Sequence, residues 1–185
     1  MKRWAIAVAI LTLAVGNSAF ASAGENAPSS KFSKECSDAL ELFKKTDSKL
    51  AGLMASAAGY AIFPDIAKGA VVIGGAHGEG EVFASGKIIG TATVTQVTMG
   101  LALGGQSYAE LILFETEDTL NQFASGKLAL SAQTSAVLAA EGSAGNAKYQ
   151  LGVLIFTIPK GGIMVEASVG GQNFNFIPLR KVPLY

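Results

Sequence analysis

From Phe32 onward, apolar residues recur at helical spacing: Phe32, Cys36, Ala39, Leu40 and Phe43 share one face, with Lys34, Glu35, Asp38, Glu41 and Lys45 on the others. This periodicity predicts an amphipathic helix, with Glu41 and Lys45 spaced to pair. A second helix is expected from Thr46 or Asp47 as N-cap, with Leu50, Leu53, Met54 and Ala57 on one side and Gly59 as its stop. At Tyr60 the pattern changes, and Val, Ile, Thr, Ala and Gly dominate to Phe114, with glycine inside the apolar runs as well as at their ends. That composition predicts strands near 70–77, 79–85, 88–103 and 108–115. Ser85-Gly86-Lys87 supplies a hairpin turn, and the third run is expected to bend at Gly90, Gly100, Gly104 or Gly105.

A short helix interrupts the strands: Thr116 caps it, Glu117 and Asp118 suit the positive end of the dipole, Leu120 and Phe123 point inward, and Gly126 ends it. Further strands are expected at 127–132, 135–140, 149–158, 162–169 and 172–177, with a loop over Glu141 to Ala147. Consecutive strands without long helical crossovers imply antiparallel pairing. The expected class is therefore α+β: a curved, mainly antiparallel sheet or partial barrel with N-terminal amphipathic helices and one short inserted helix.

The first residues bear on the compartment. Lys2 and Arg3 precede an apolar stretch from Trp4 to Val15, and small residues offer cleavage at Ala19-Phe20-Ala21 or Ala21-Ser22-Ala23. This pattern predicts a secretory signal peptide and a periplasmic or secreted product. The apolar run falls short of the roughly 20 residues that span a bilayer as a helix. The expected organisation is a signal peptide over 1–21, a flexible leader over 22–30 and one domain over 31–185, with a core large enough to fold unaided. After cleavage, 12 basic residues face 14 acidic ones, so no basic excess exists to neutralise a nucleic-acid backbone. Cys36 is the only cysteine and cannot close an internal disulfide.

Chemistry-bearing patterns are few. His77, the only histidine, alternates with Glu79 and Glu81 along one strand, so the three share a face. No further histidine or cysteine completes a metal site there, and a wet strand face is the favoured reading. The run Gly74-Gly75-Ala76-His77-Gly78-Glu79-Gly80 lacks the order of a dinucleotide fingerprint and leads into more strand instead of a helix. Gly86-Lys87 fails as a phosphate loop, because Glu81 stands where the first glycine belongs and Ile88 where the hydroxyl residue belongs. No serine sits in G-x-S-x-G, so neither catalysis nor a cofactor is expected.

The order Gly59-Tyr60-Ala61-Ile62-Phe63-Pro64, Lys68-Gly69-Ala70, a glycine-interrupted strand from Val71 to Val82, and Gly100-Leu101-Ala102-Leu103-Gly104-Gly105-Gln106-Ser107-Tyr108-Ala109-Glu110 resembles the SYLF family. Leu111 to Phe114, Phe123-Ala124-Ser125-Gly126 and a last strand pair ending near Phe176 continue the likeness, which covers roughly 39–177. The resemblance implies a lipid-binding module without catalytic residues. Eukaryotic members bind phosphoinositides partly through an N-terminal amphipathic helix, some fungal members bind actin, and bacterial members are commonly exported. This chain departs from many relatives in carrying Ala76-His77-Gly78-Glu79-Gly80-Glu81 where they place basic residues, and in reading Pro159-Lys160-Gly161-Gly162-Ile163 at a turn that is usually aromatic. Lipid or membrane contact carries over; actin and cytosolic phosphoinositides do not.

On this reading the first helix offers Phe32, Leu40, Leu42 and Phe43 to acyl chains, while Lys31, Lys34, Lys44, Lys45 and Lys49, with Lys68 further on, lie at headgroup level. The same helix can equally cover the protein's own core. An envelope adaptor that meets another protein is the alternative function. An outer-membrane barrel is disfavoured, because Pro178 and Pro183 interrupt the last strand and Tyr149 to Ile158 lacks the required alternation.

Overall fold

A computed structural model of the chain describes residues 28–70, 73–128 and 136–179. The expected signal peptide, most of the leader and most of the expected 127–132 strand lie outside the described residues.

The first helix, α1 (Ser30–Thr46), begins where Ser29 accepts a hydrogen bond from the Phe32 amide at 3.2 Å and ends with Lys44 and Lys45 beside its negative pole. It buries the predicted stripe of Cys36, Ala39, Leu40 and Phe43. The second helix, α2 (Leu50–Ser56), is shorter than expected, and Asp47 is not its N-cap. Asp47 instead closes α1, its amide bonding the Phe43 carbonyl at 3.1 Å. Its buried carboxylate accepts from the Ala144 amide at 2.7 Å, the Lys49 amide at 3.1 Å and the Ser143 hydroxyl at 3.1 Å. These donors, led by the Ala144 amide, hold the Asp47 carboxyl below its ordinary range. The helix pair is thereby pinned to the 139–147 loop. Asp47→Asn, which replaces one acceptor by a donor facing other donors, is expected to cost about 2 kcal/mol in urea denaturation.

Four long strands follow the helices: β1 (Gly59–Ala70), β2 (Ile73–Ala84), β3 (Lys87–Phe114) and, after α3 (Glu117–Ala124) and the short β4 (Ala136–Leu138), β5 (Val153–Pro178). The hairpin turn at Ser85-Gly86 stands where the sequence places it. The expected breaks do not. The 88–103 and 108–115 runs join in one strand, and the 162–169 and 172–177 runs join another with residues 153–158 of the expected 149–158 strand; of the described residues in the expected 135–140 strand, Ala136–Leu138 form a strand. Pairing across a partner explains the continuity: β3 and β5 hold antiparallel register from Gly90↔Pro178 to Phe114↔Val153, with a single shift at Ser107/Tyr108. Strand β1 begins eleven residues before the first expected strand, because a register shift between Ile62 and Asp65 accommodates Pro64 without ending the ladder.

The sheet order is β1-β2-β3-β5-β4, with β1 also paired to β3. The first half of β3 pairs with β2 and its second half with β1. Because β1 and β2 are themselves antiparallel, the two halves of β3 run in opposite directions, and β5 follows β3 throughout. Counting these halves gives a mixed sheet of seven strand segments that does not close, with three helices: an α+β fold. Among the described residues only β4 pairs parallel.

Alternation gives both faces a core. Ile62, Leu111, Leu113, Leu154 and Phe156 pack under α1 and α2, while Phe63, Ile112, Phe114, Val153 and Ile155 belong to the opposite cluster with Leu120 and Phe123 of α3. Thr116 caps α3 as expected, accepting from the Thr119 amide at 3.2 Å. Phe123 then bridges Phe114 and Phe174, with ring centroids at 4.8 and 5.0 Å. Two strand glycines of β2, Gly78 and Gly80, have a steric cause. A Cβ at Gly80 would lie 2.5 Å from the Ile62 carbonyl and 2.7 Å from the Phe63 ring, so β1 and β2 approach more closely than a side chain allows.

Candidate functional site

Helix α1 uses its strongest apolar residues internally. Phe43 has no exposure and Leu40 is buried, both packed against the face of the sheet that α1 and α2 cover, so neither is free to enter a bilayer in this fold. Phe32 is half-buried against the same cluster, and Leu42, at 42% exposure, is the one large apolar side chain of the helix that faces outward. Of the lysines expected at headgroup level, Lys31 and Lys34 pair with Glu35 and Asp38 at 3.9 and 2.7 Å, and Lys44, Lys45 and Lys49 are exposed. Lys68 is not gathered with them. It is half-buried on β1, two residues from Ile66, and shares that residue's face away from α1.

Beside Leu42 lies an open groove of about 410 Å³, with apolar surface from Ala39, Leu42, Pro64 and Ala109. Its charged lining is Glu35, Asp38, Asp65 and Lys160. Lys160 is committed locally, its Nζ bonding the Pro64 carbonyl and Asp65 Oδ2, each at 3.1 Å. With carboxylates in excess, this groove does not favour an anionic headgroup.

Besides Asp47, two acids are buried among the described residues. Glu81 sits beneath α1 and accepts from the Ser33 hydroxyl at 2.6 Å, which separates it from the exposed His77 and Glu79 of the same strand. Among the described residues no cluster of three potential metal ligands forms. Burial first, and the neighbouring Glu81 charge second, push the Cys36 thiol up to about 12, so it stays protonated and unreactive. Glu110, 2% exposed, faces the other core. Its Oε2 accepts from Gln172 Nε2 at 3.1 Å, and its Oε1 is buried without a hydrogen-bond partner. Burial drives its carboxyl up to about 7, against the opposing pull of Gln172.

The feature that sequence reading missed is one end of the sheet. Register brings Ala70 opposite Gly104, Ile73 opposite Met99, and Met99 to Gly104 opposite Val169 to Met164. Between Lys68 and His77, between Gln96 and Gln106, and between Lys160 and Gln172, the single ionisable residue is Glu166. Val97 stands at this end with 56% exposure. It is aligned with Gly75 and Gly171, while Gly75 in turn pairs with Gly69 and Gly69 with Gly105. A Cβ at Gly69 would meet nothing within 4 Å, and one at Gly75 only a carbonyl at 3.7 Å, so packing does not demand glycine at either position. The sequence signal was present as recurring glycines in charge-free runs, but only the register assembles them.

Among the described residues no helix is long and apolar enough to cross a membrane. No protein-family model matches the chain, and no curated protein is detectably similar to it.

Proposed function

We propose that this protein is an exported, non-catalytic lipid-binding module of SYLF type, which rests the charge-poor end of its sheet, with Glu166 as its one ionisable residue, in a membrane surface. The observation that carries this reading is the convergence of three sequence segments into an end with one ionisable residue. Entry into a low-dielectric phase requires paired backbone, and β3 and β5 keep unbroken register from Gly90 to Ser107. Gln96, the last long polar side chain of β3 before Leu101, precedes it by five residues, at most roughly 17 Å of strand, with Thr98 the one polar residue between them. That matches about 15 Å for one leaflet of hydrocarbon. Helix α1 then acts mainly as a cover for its face of the sheet, with Lys44 and Lys45 available to headgroups.

A curved, partial-barrel form of the sheet is part of the same proposal. Gln172 and Glu110 lie on segments four strand intervals apart, which a flat sheet would separate by roughly 19 Å. Their 3.1 Å hydrogen bond supports a sheet curled until these segments meet.

Vesicle flotation tests the function. The purified protein is expected to float with both neutral and anionic vesicles, and Val97→Glu to reduce the bound fraction at least about tenfold, since it drives a charge into the apolar phase. Leu42→Glu, on the helix, is expected to change binding less than twofold. Absence of flotation, or recovery only with a co-purifying protein, would replace this reading with that of an envelope adaptor.

A further inference from the structure

The face of the sheet away from α1 carries a row of polar residues at the border of the charge-poor end. Gln172 lies directly opposite Gln96, Gln96 opposite Ala76, Ala76 opposite Lys68, and Lys68 opposite Gln106. Residues paired in this way project to one side of a sheet, and Ala76 belongs to the core cluster away from α1. Four long polar side chains therefore line that side, each half-buried. Glu110 stands on the same face four residues from Gln106, tied to the row through Gln172 and bearing the buried, unpartnered Oε1. Gly162, opposite Gln106, and Ala76 add no bulk.

We propose that this row is a headgroup site for a phospholipid whose terminal group donates hydrogen bonds, an ethanolamine or a glycerol as opposed to a choline. A buried acceptor left without a donor is rare in folded proteins and unfavourable, and an ammonium or hydroxyl group brought to Glu110 Oε1 would relieve it. A quaternary choline nitrogen carries no donor and leaves Oε1 as it is. Lys68 and the glutamine amides supply donors of the kind a phosphodiester accepts. The position suits a lipid still standing in its leaflet, because the row borders the end assigned above to the membrane. The site thus rests on the lipid-binding reading and gives it a chemical preference.

Titration with monomeric dihexanoyl phospholipids below their micellar concentration tests the site without a bilayer. At pH 8, where the Glu110 carboxyl is mainly ionised, ethanolamine and glycerol headgroups are expected to bind at least about tenfold tighter than choline, the effect of one hydrogen bond to a charged acceptor. Glu110→Gln is expected to erase that preference. In the wild-type protein the Glu110 carboxyl carbon resonance is expected to move with the ethanolamine lipid and to stay in place with the choline lipid, a readout that does not depend on the variant folding. Equal affinity for the three headgroups, or an unmoved resonance, would overturn the proposal. Binding of chain-free phosphoethanolamine as tightly as its dihexanoyl lipid would also overturn it, in favour of a small phosphate-ester site. Val97→Glu is expected to lose vesicle flotation yet keep the headgroup preference, so failure of this site and failure of the membrane reading give different results.

Discussion

Phe43→Glu is expected to leave the chain unfolded at room temperature, whereas Leu42→Glu one position earlier is expected to melt within about 2 °C of the wild type. Phe43 is completely buried between α1 and the sheet, in the cluster that holds Cys36, Leu50, Leu111 and Phe156. Removing a buried aromatic ring costs roughly 3–5 kcal/mol, and placing an unpaired carboxylate in the same space costs several more. A domain of this size has about 5–15 kcal/mol in total. Leu42 faces the open groove, where a carboxylate is solvated and loses only partial apolar contact. Circular dichroism melts of the two variants check this directly. A folded Phe43→Glu protein would mean that α1 detaches from the sheet at little cost, and would return Leu40 and Phe43 to the list of residues able to meet a membrane.

The contrast between these neighbours shows what periodicity can and cannot deliver. The stripe from Cys36 to Phe43 was legible because a helix repeats every 3.6 residues, and the same local logic placed Thr116 and the turn at Ser85-Gly86. Whether the stripe covers the protein or a bilayer was not legible, because both partners ask for the same side chains. Strand β1 was missed because Pro64-Asp65 reads locally as a break, and the register shift that absorbs it depends on partners elsewhere in the chain. The reversal of β3 and β5 is likewise a property of pairing. Glycines that look like separate turns are aligned across the sheet, so the charge-poor end exists only once four strands are in place.

Glu110 illustrates the same limit from the side of chemistry. It stands in a run, Tyr108 to Phe114, that is otherwise without charge, which hints at burial but gives no partner. The partner, Gln172, is 62 residues away. Polar residues that border an apolar end therefore group by register, with Lys68, Gln96, Gln106 and Gln172 in one row although they come from three strands. A fold that buries one carboxyl and leaves an oxygen unpaired accepts a loss of stability, which natural structures tolerate mostly where function requires it.

That loss is measurable as a dependence of stability on pH. The Glu110 carboxyl rises from an ordinary value near 4.5 to about 7 because the folded state removes it from water. Below pH 4.5 the group is protonated in both folded and unfolded chains, and folding carries no charge penalty. As pH rises from 4.5 toward 7 the unfolded chain ionises first, so the folded state is progressively disfavoured, and above 7 the loss is constant. The size follows from about 1.4 kcal/mol per pH unit, which gives a decrease on the order of 3 kcal/mol between pH 4.5 and pH 8. Asp47 acts in the opposite sense and in a lower window. Its carboxyl is held below the ordinary value of 3.8 by the Ala144 and Lys49 amides, so its contribution is lost only as pH falls beneath that value. Stability in urea is therefore expected to peak near pH 4 to 5 and to decline toward neutrality, contrary to the usual behaviour of a protein with paired surface acids. Glu110→Gln is expected to flatten the decline above pH 4.5 while leaving the acid limb unchanged. A wild-type profile that is flat from pH 4.5 to 8 would show that Glu110 reaches water or a donor in solution, and would remove the physical ground for a ligand at its free oxygen.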